Sequence, residues 1–162
     1  MMQNRYVGDL GDYGKYGLLR WLLVDDSATQ RLRLAVLWYL VADETHNKDG
    51  RHISYLRQSG TQLSECDPEL FTGLKRIVAA GRSVSGVEKS GLLLADTQFH
   101  SAPLTYSAAE RREGRTRKRE AWFNDALRVA SSADLVFLDP DNGIECDSVG
   151  MHSRMGVKYA YY

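Results

Sequence analysis

The sequence predicts an α/β domain with a mostly parallel β-sheet and helices on both of its faces. Three observations predict it. The runs 33–42 (RLAVLWYLVA) and 133–138 (ADLVFL) are apolar without alternation, as strands buried on both faces are. Helical segments lie between them, and strands alternating with helices favour a parallel sheet. Both runs break off into acidic residues, Asp43-Glu44 and Asp139-Pro140-Asp141-Asn142, and in parallel sheets ligands bind beyond the carboxyl ends of the strands. A chain of 162 residues has the length of one domain and buries roughly 70% of its unfolded surface, so it needs no disulfide or metal staple.

The elements follow in order. Residues 7–17 (VGDLGDYGKYG) carry four glycines, each costing a helix about 1 kcal/mol, and are expected to form a loop. Leu18 to Val24 reads as a helix reaching Asp25, and 33–42 as the first strand. A polar loop, 42–51, precedes a short helix over His52–Gln58. Asp67-Pro68-Glu69 is a helix start, with an Asp N-cap, Pro at the first position and Glu in the first turn. That helix is expected to stop at Gly81. Residues 83–88 suggest a short strand, and 91–99 another at Leu92–Leu94. A long helix is expected from Ala108 to Ala130, starting only after Gly114 on one reading, with Trp122, Phe123, Ala126, Leu127 and Ala130 on one face. The second buried strand follows, then a turn at Asn142-Gly143, and 157–162 (VKYAYY) reads as a strand or a helix start.

Lys plus Arg and Asp plus Glu both number 21, so the formal net charge is zero. That excludes a basic nucleic-acid coat or an acidic tail protein as a whole-chain description. Cys66 and Cys146 are the two cysteines and form no CxxC pair, which excludes a zinc ribbon and a disulfide scaffold. The first residues lack the apolar core of a secretory signal, and the longest apolar stretch is far short of a membrane span. A soluble cytoplasmic protein is expected, with no membrane partner.

Four groups are candidates for chemistry. Asp139, Pro140, Asp141 and Asn142 come at a strand end, where they could hold an amine or a cation or act as a base; a plain tight turn is the alternative. Asp43, Glu44 and His46 could bind a polar ligand or a metal, although no GxGxxG cradle accompanies them; a solvated loop is the alternative. In the opening segment Asp9, Asp12, Tyr13 and Lys15 could approach a substrate; a packed N-terminal turn is the alternative. Residues 110–120 hold six basic and three acidic side chains, among them Arg111, Arg112, Arg115, Lys118 and Arg119. These could follow a phosphate backbone or form a solvated helix face.

Residues 4–16 (NRYVGDLGDYGKY) resemble the opening of an uncharacterised bacterial family with a GDxGDxGKYxLLR signature, which later carries LDPDNG. More distantly they are similar to the bacterial large-subunit ribosomal RNA adenine-N6 methyltransferases and to the three-cysteine-motif partner proteins. The resemblance covers most of the chain in order, with motifs at the two ends. It implies a Rossmann-like fold and an S-adenosylmethionine-dependent, methyltransferase-like activity on a nucleic-acid base. In that reading Leu34 to Ala42 is the first strand, and Asp43, Glu44 and His46 lie by the cofactor. Asp139-Pro140-Asp141-Asn142 stands where those enzymes carry Asp-Pro-Pro-Tyr and orient the target amine. Asp9, Asp12, Tyr13, Lys15, Arg115 and Lys118 would face RNA or DNA. The sequence departs from the pattern in having no aromatic after Asp139-Pro140 and no small-residue turn after the first strand. Nineteen residues follow Gly143, so a single domain lacking its last strands is expected, whose open edge favours a homo-oligomer.

Two other readings stand beside it. Asp9, Asp12, Asp43, Glu44, Asp139 and Asp141 could serve a magnesium-dependent nuclease or phosphodiesterase, with Mg²⁺ on Asp43, Asp139 and Asp141. A Rossmann-like binding module without chemistry is the third.

Overall fold

The computed structural model describes residues 2–23, 32–45, 48–58 and 60–161. The expected continuation of the first helix through Val24 and Asp25, and the cofactor candidate His46, lie outside the described residues. The chain divides into two compact units.

The first unit comprises Met1–Met2, Arg33–Ala42 and Thr97–Tyr162. Its sheet has three parallel strands, β1 (Leu34–Trp38), β2 (Gln98–His100) and β3 (Leu135–Asp139), in the order β2-β1-β3. With its crossover helix this is an α/β, Rossmann-like arrangement. The centre strand β1 is buried at all five positions, as its unbroken apolar run requires. Arg33 and Asp134 align the starts of β1 and β3. The Asp134 carboxylate accepts from Arg33 N at 2.9 Å and Nε at 3.0 Å, and this holds its carboxyl down at about 2. Helix α5 (Arg112–Ala130) packs against β1 and β2. Trp122 and Ala126 bury with Leu37, Tyr39, Val41, Leu104, Val157 and Ala160 in one apolar core.

The second unit comprises Gln3–Leu32 and Asp43–Asp96. It contains α1 (Leu10–Leu23), α2 (Gln62–Cys66), α3 (Pro68–Ala79) and α4 (Val84–Ser90). Helix α3 begins as the sequence predicts: the Asp67 side chain accepts from Leu70 N, Pro68 is the first residue, and Gly81 takes φ +95° just past the end. Its buried face is Leu70, Phe71, Leu74 and Ile77, at helical spacing.

Several expectations are corrected. The glycine-rich opening is not a loop: α1 starts at Leu10 and runs through Gly11, Gly14 and Gly17. Three glycines cost a helix about 1 kcal/mol each. Burying Tyr13, Tyr16, Leu19 and Leu23 gains about 1.5–3 kcal/mol per side chain, so packing outweighs propensity. The turn is confined to Gly8, whose φ of +79° and closeness to the Val78 side chain leave no room for a Cβ. Residues 83–88 are helix rather than strand, because the Ser83 hydroxyl caps α4 by accepting from Gly86 N. The second strand is Gln98–His100, not Leu92–Leu94; Leu94 takes φ +77° in a turn. The first strand stops at Trp38 instead of running to Ala42. Residues 54–57 form one 3-10 turn within the expected helix 52–58. Helix α5 starts two residues before Gly114. Two-sided burial holds for β1 only; in β3, Val136 and Leu138 are exposed. Phe123 and Leu127 of α5 are about half exposed rather than core.

Candidate functional site

In the first unit the chain order reverses between β1 and β3: β2 lies on one side of β1, and α5 crosses to β3 on the other. Ligands of open parallel sheets bind at the carboxyl edge of such a switch point. Asp139 ends β3 there, level with Trp38, and is buried. The next residues are tied to the segment 158–160. Asp141 pairs with the buried Lys158 at 3.3 Å, Asn142 N donates to Lys158 O at 3.0 Å, and Ala160 N donates to Gly143 O at 3.0 Å. Gly143 makes the reversal at φ +87°. The Asp-Pro-Asp-Asn turn is therefore held rigidly, with Asp141 engaged as a structural ion-pair partner.

His100 ends β2 at the same edge. It is buried, neither ring nitrogen has a hydrogen-bond partner among the described residues, and it meets the Trp122 ring edge-on at 4.9 Å. Burial pushes its pKa below the usual histidine value, with Asp125 opposing. The backbone after β1 is closed: Leu104 N donates to Leu40 O and Val41 N to Met2 O, both at 3.1 Å.

The basic run lies on α5 in the same unit and is largely engaged. Arg115 donates to His152 O at 2.9 Å and Ser107 O at 3.4 Å. Lys118 pairs with Glu110 at 2.9 Å, which lowers the Glu110 pKa. Arg119 donates to Gly156 O and Tyr159 O and stacks on the Tyr161 ring at 4.8 Å. Two cavities open beside it. One, of about 370 Å³, is lined by Tyr39, Trp122, Phe123 and Tyr161 with Arg119 and Glu120. The other, of about 470 Å³, is lined by Glu110, Arg112, Arg115, Gly150 and Ser153. Met151 and His152 line both.

In the second unit the opening segment and Asp43-Glu44 meet. Asp9 accepts from Gly11 N at 3.1 Å and His52 N at 2.9 Å. Asp12 is buried, accepts from Gly8 N at 3.1 Å and Tyr16 Oη at 3.3 Å, and pairs with Lys15 at 2.9 Å. The Tyr13 hydroxyl donates to Leu63 O, and burial raises its pKa. Asp43 accepts from Arg5 N at 3.2 Å, and Glu44 from Gln3 Nε2 at 3.3 Å. Arg82 donates to Val7 O at 2.6 Å; burial lowers its pKa against the opposing pull of Asp9, Asp12 and Asp43. These acids and Lys15 are engaged in holding the chain segments together.

The candidates thus separate. Asp139, Pro140, Asp141, Asn142, Arg115 and Lys118 belong to the first unit, and Asp9, Asp12, Tyr13, Lys15, Asp43 and Glu44 to the second. Among the described residues no group of three or more His, Cys, Asp or Glu side chains is placed to hold a metal ion. No described helix is long and apolar enough to cross a membrane. The sequence reading missed His100, Tyr39, Met151, His152 and Tyr161. The aromatic pair Trp122-Phe123 beside the basic run was the available signal. Comparison of the chain with models of protein families, with curated proteins and with solved structures gives no match.

Proposed function

We propose that the chain is an S-adenosylmethionine-dependent, methyltransferase-like protein acting on a nucleic-acid base. The strand order carries the reading: Asp139-Pro140 ends the strand beside β1, at the point where the order reverses. Asp139 offers a carboxylate to a target amine, and the rigid turn behind it holds that carboxylate in one place. Such catalysis is orientation and electrostatics rather than proton transfer.

In this reading the cofactor's adenosine is met at this edge by a side chain rather than by a glycine turn. His100 is a buried hydrogen-bonding group with no partner among the described residues, suited to a ribose hydroxyl. The closed backbone after β1 leaves the contact to such groups. S-adenosylmethionine supplies the electrophilic methyl group. Asp43 and Glu44 are not needed in this version of the site.

The test is a calorimetric titration of the full chain with S-adenosylhomocysteine, with His100→Leu as the control. Saturable binding weakened in the variant supports the reading and makes methyl transfer to RNA and DNA the next assay. No heat at millimolar ligand contradicts it.

A further inference from the structure

The two cavities beside α5 differ in chemistry and share a wall. The first is aromatic on several sides: Tyr39 and Trp122 are buried and tilted against each other at 4.7 Å, while Phe123 stands about half exposed. Arg119, fixed by two backbone carbonyls, backs the Tyr161 ring. The exposed Glu120 is the carboxylate among its lining residues. A flat ring stacks on such surfaces whatever its sequence identity, and a carboxylate accepts from an exocyclic amine.

The second cavity is polar and cationic. Arg112 is exposed. Arg115 is held by His152 O and Ser107 O, and its Nε is buried without a partner among the described residues. Ser153 lines the cavity with its hydroxyl held in place, since its Oγ accepts from Gly156 N at 3.0 Å. Glu110 is the acid of this cavity and is paired with Lys118. The common wall is Met151 and His152. The Thr116 hydroxyl donates to Arg112 O at 3.0 Å, so at its 3.4 Å contact with His152 Nδ1 the imidazole N–H is the donor.

We propose that these joined cavities are a nucleotide site, with an amino-bearing base in the aromatic chamber and its phosphate between Arg112, Arg115 and Ser153. The site stands on the α5 face alone and holds whether or not the methyl-transfer reading does. The phosphate can belong to a free nucleotide or to a single strand.

The test is calorimetric titration of the full chain with adenosine 5′-monophosphate, adenosine and a ten-residue oligodeoxyadenylate. Arg112→Ala and Phe123→Ala replace exposed side chains, and circular dichroism checks that both fold. Adenosine monophosphate binds more tightly than adenosine, and Arg112→Ala removes that advantage, about tenfold for one charge-assisted contact. Phe123→Ala weakens both ligands about tenfold, the size of one lost stacking surface. An oligonucleotide that binds much tighter than the mononucleotide assigns the site to a strand; equal affinity assigns it to a free nucleotide. No binding of adenosine monophosphate or of the oligonucleotide at millimolar concentration overturns the proposal, as does binding indifferent to either variant. S-adenosylhomocysteine binding that survives Arg112→Ala and Phe123→Ala but is lost in His100→Leu belongs to the strand edge, and adenosine monophosphate binding lost in the first two variants belongs to the α5 face, so the two readings fail separately.

Discussion

The opening segment and the α5 face both drew attention in the sequence, and they turn out to differ in kind. In the opening segment the acids bond inward. Asp9 and Asp12 accept from backbone N–H groups of Gly11, His52 and Gly8, and Asp12 also holds Lys15. On the α5 face several cations bond inward too, yet cavities with aromatic and cationic walls remain beside them. A dense motif of Gly and Asp marks a place where the backbone needs partners. A ligand needs partners left over.

Variants in the first region therefore cost stability and variants in the second cost binding. The largest effect is expected at Asp12. It is buried, and Asp12→Ala strands Gly8 N and Lys15, with a loss of about 3 kcal/mol in a urea denaturation; a loss under about 0.5 kcal/mol would break the contrast. Gly8→Ala comes next, at about 2 kcal/mol, because a Cβ meets Val78 and φ is positive.

His100 tests the carboxyl edge through pH. Its pKa is depressed in the folded state by burial, so the unfolded chain takes up the proton first. Stability therefore falls as pH drops from about 6.5 toward the folded pKa. His100→Leu flattens that stretch of a thermal-midpoint profile; an unchanged slope would mean that His100 is not buried in the neutral form. Asp134 acts lower, being held at about 2 beside Arg33. Its contribution is present above the ordinary carboxylate range and fades as pH falls toward 2. The pair is exposed, so Asp134→Asn gives a small, salt-sensitive shift in acid unfolding. At the far end, Arg112→Ala leaves the denaturation midpoint where it was.

Legibility in the sequence followed local chemistry. The start of α3 was readable because Asp67-Pro68-Glu69 states a cap and a first turn by itself. The core strands were readable as runs, but β1 and β3 looked alike, and only pairing shows that β1 is central while β3 bares Val136 and Leu138. Helix α1 was hidden because glycine propensity argued against it while Tyr13, Tyr16, Leu19 and Leu23 argued for it. Residues 83–88 hid a helix whose signal was one capping serine. Asp139 at a strand end was legible from the apolar run before it. The cavities were not, since they join Tyr39, α5 and residues 150–161 across more than a hundred positions.

The most direct test of the contrast is amide hydrogen exchange of the full chain with and without saturating adenosine 5′-monophosphate. Protection confined to 112–123 and 149–161 is the predicted result. Protection over 4–16 and 43–52, with the α5 face unchanged, would contradict it and return the ligand to the opening segment.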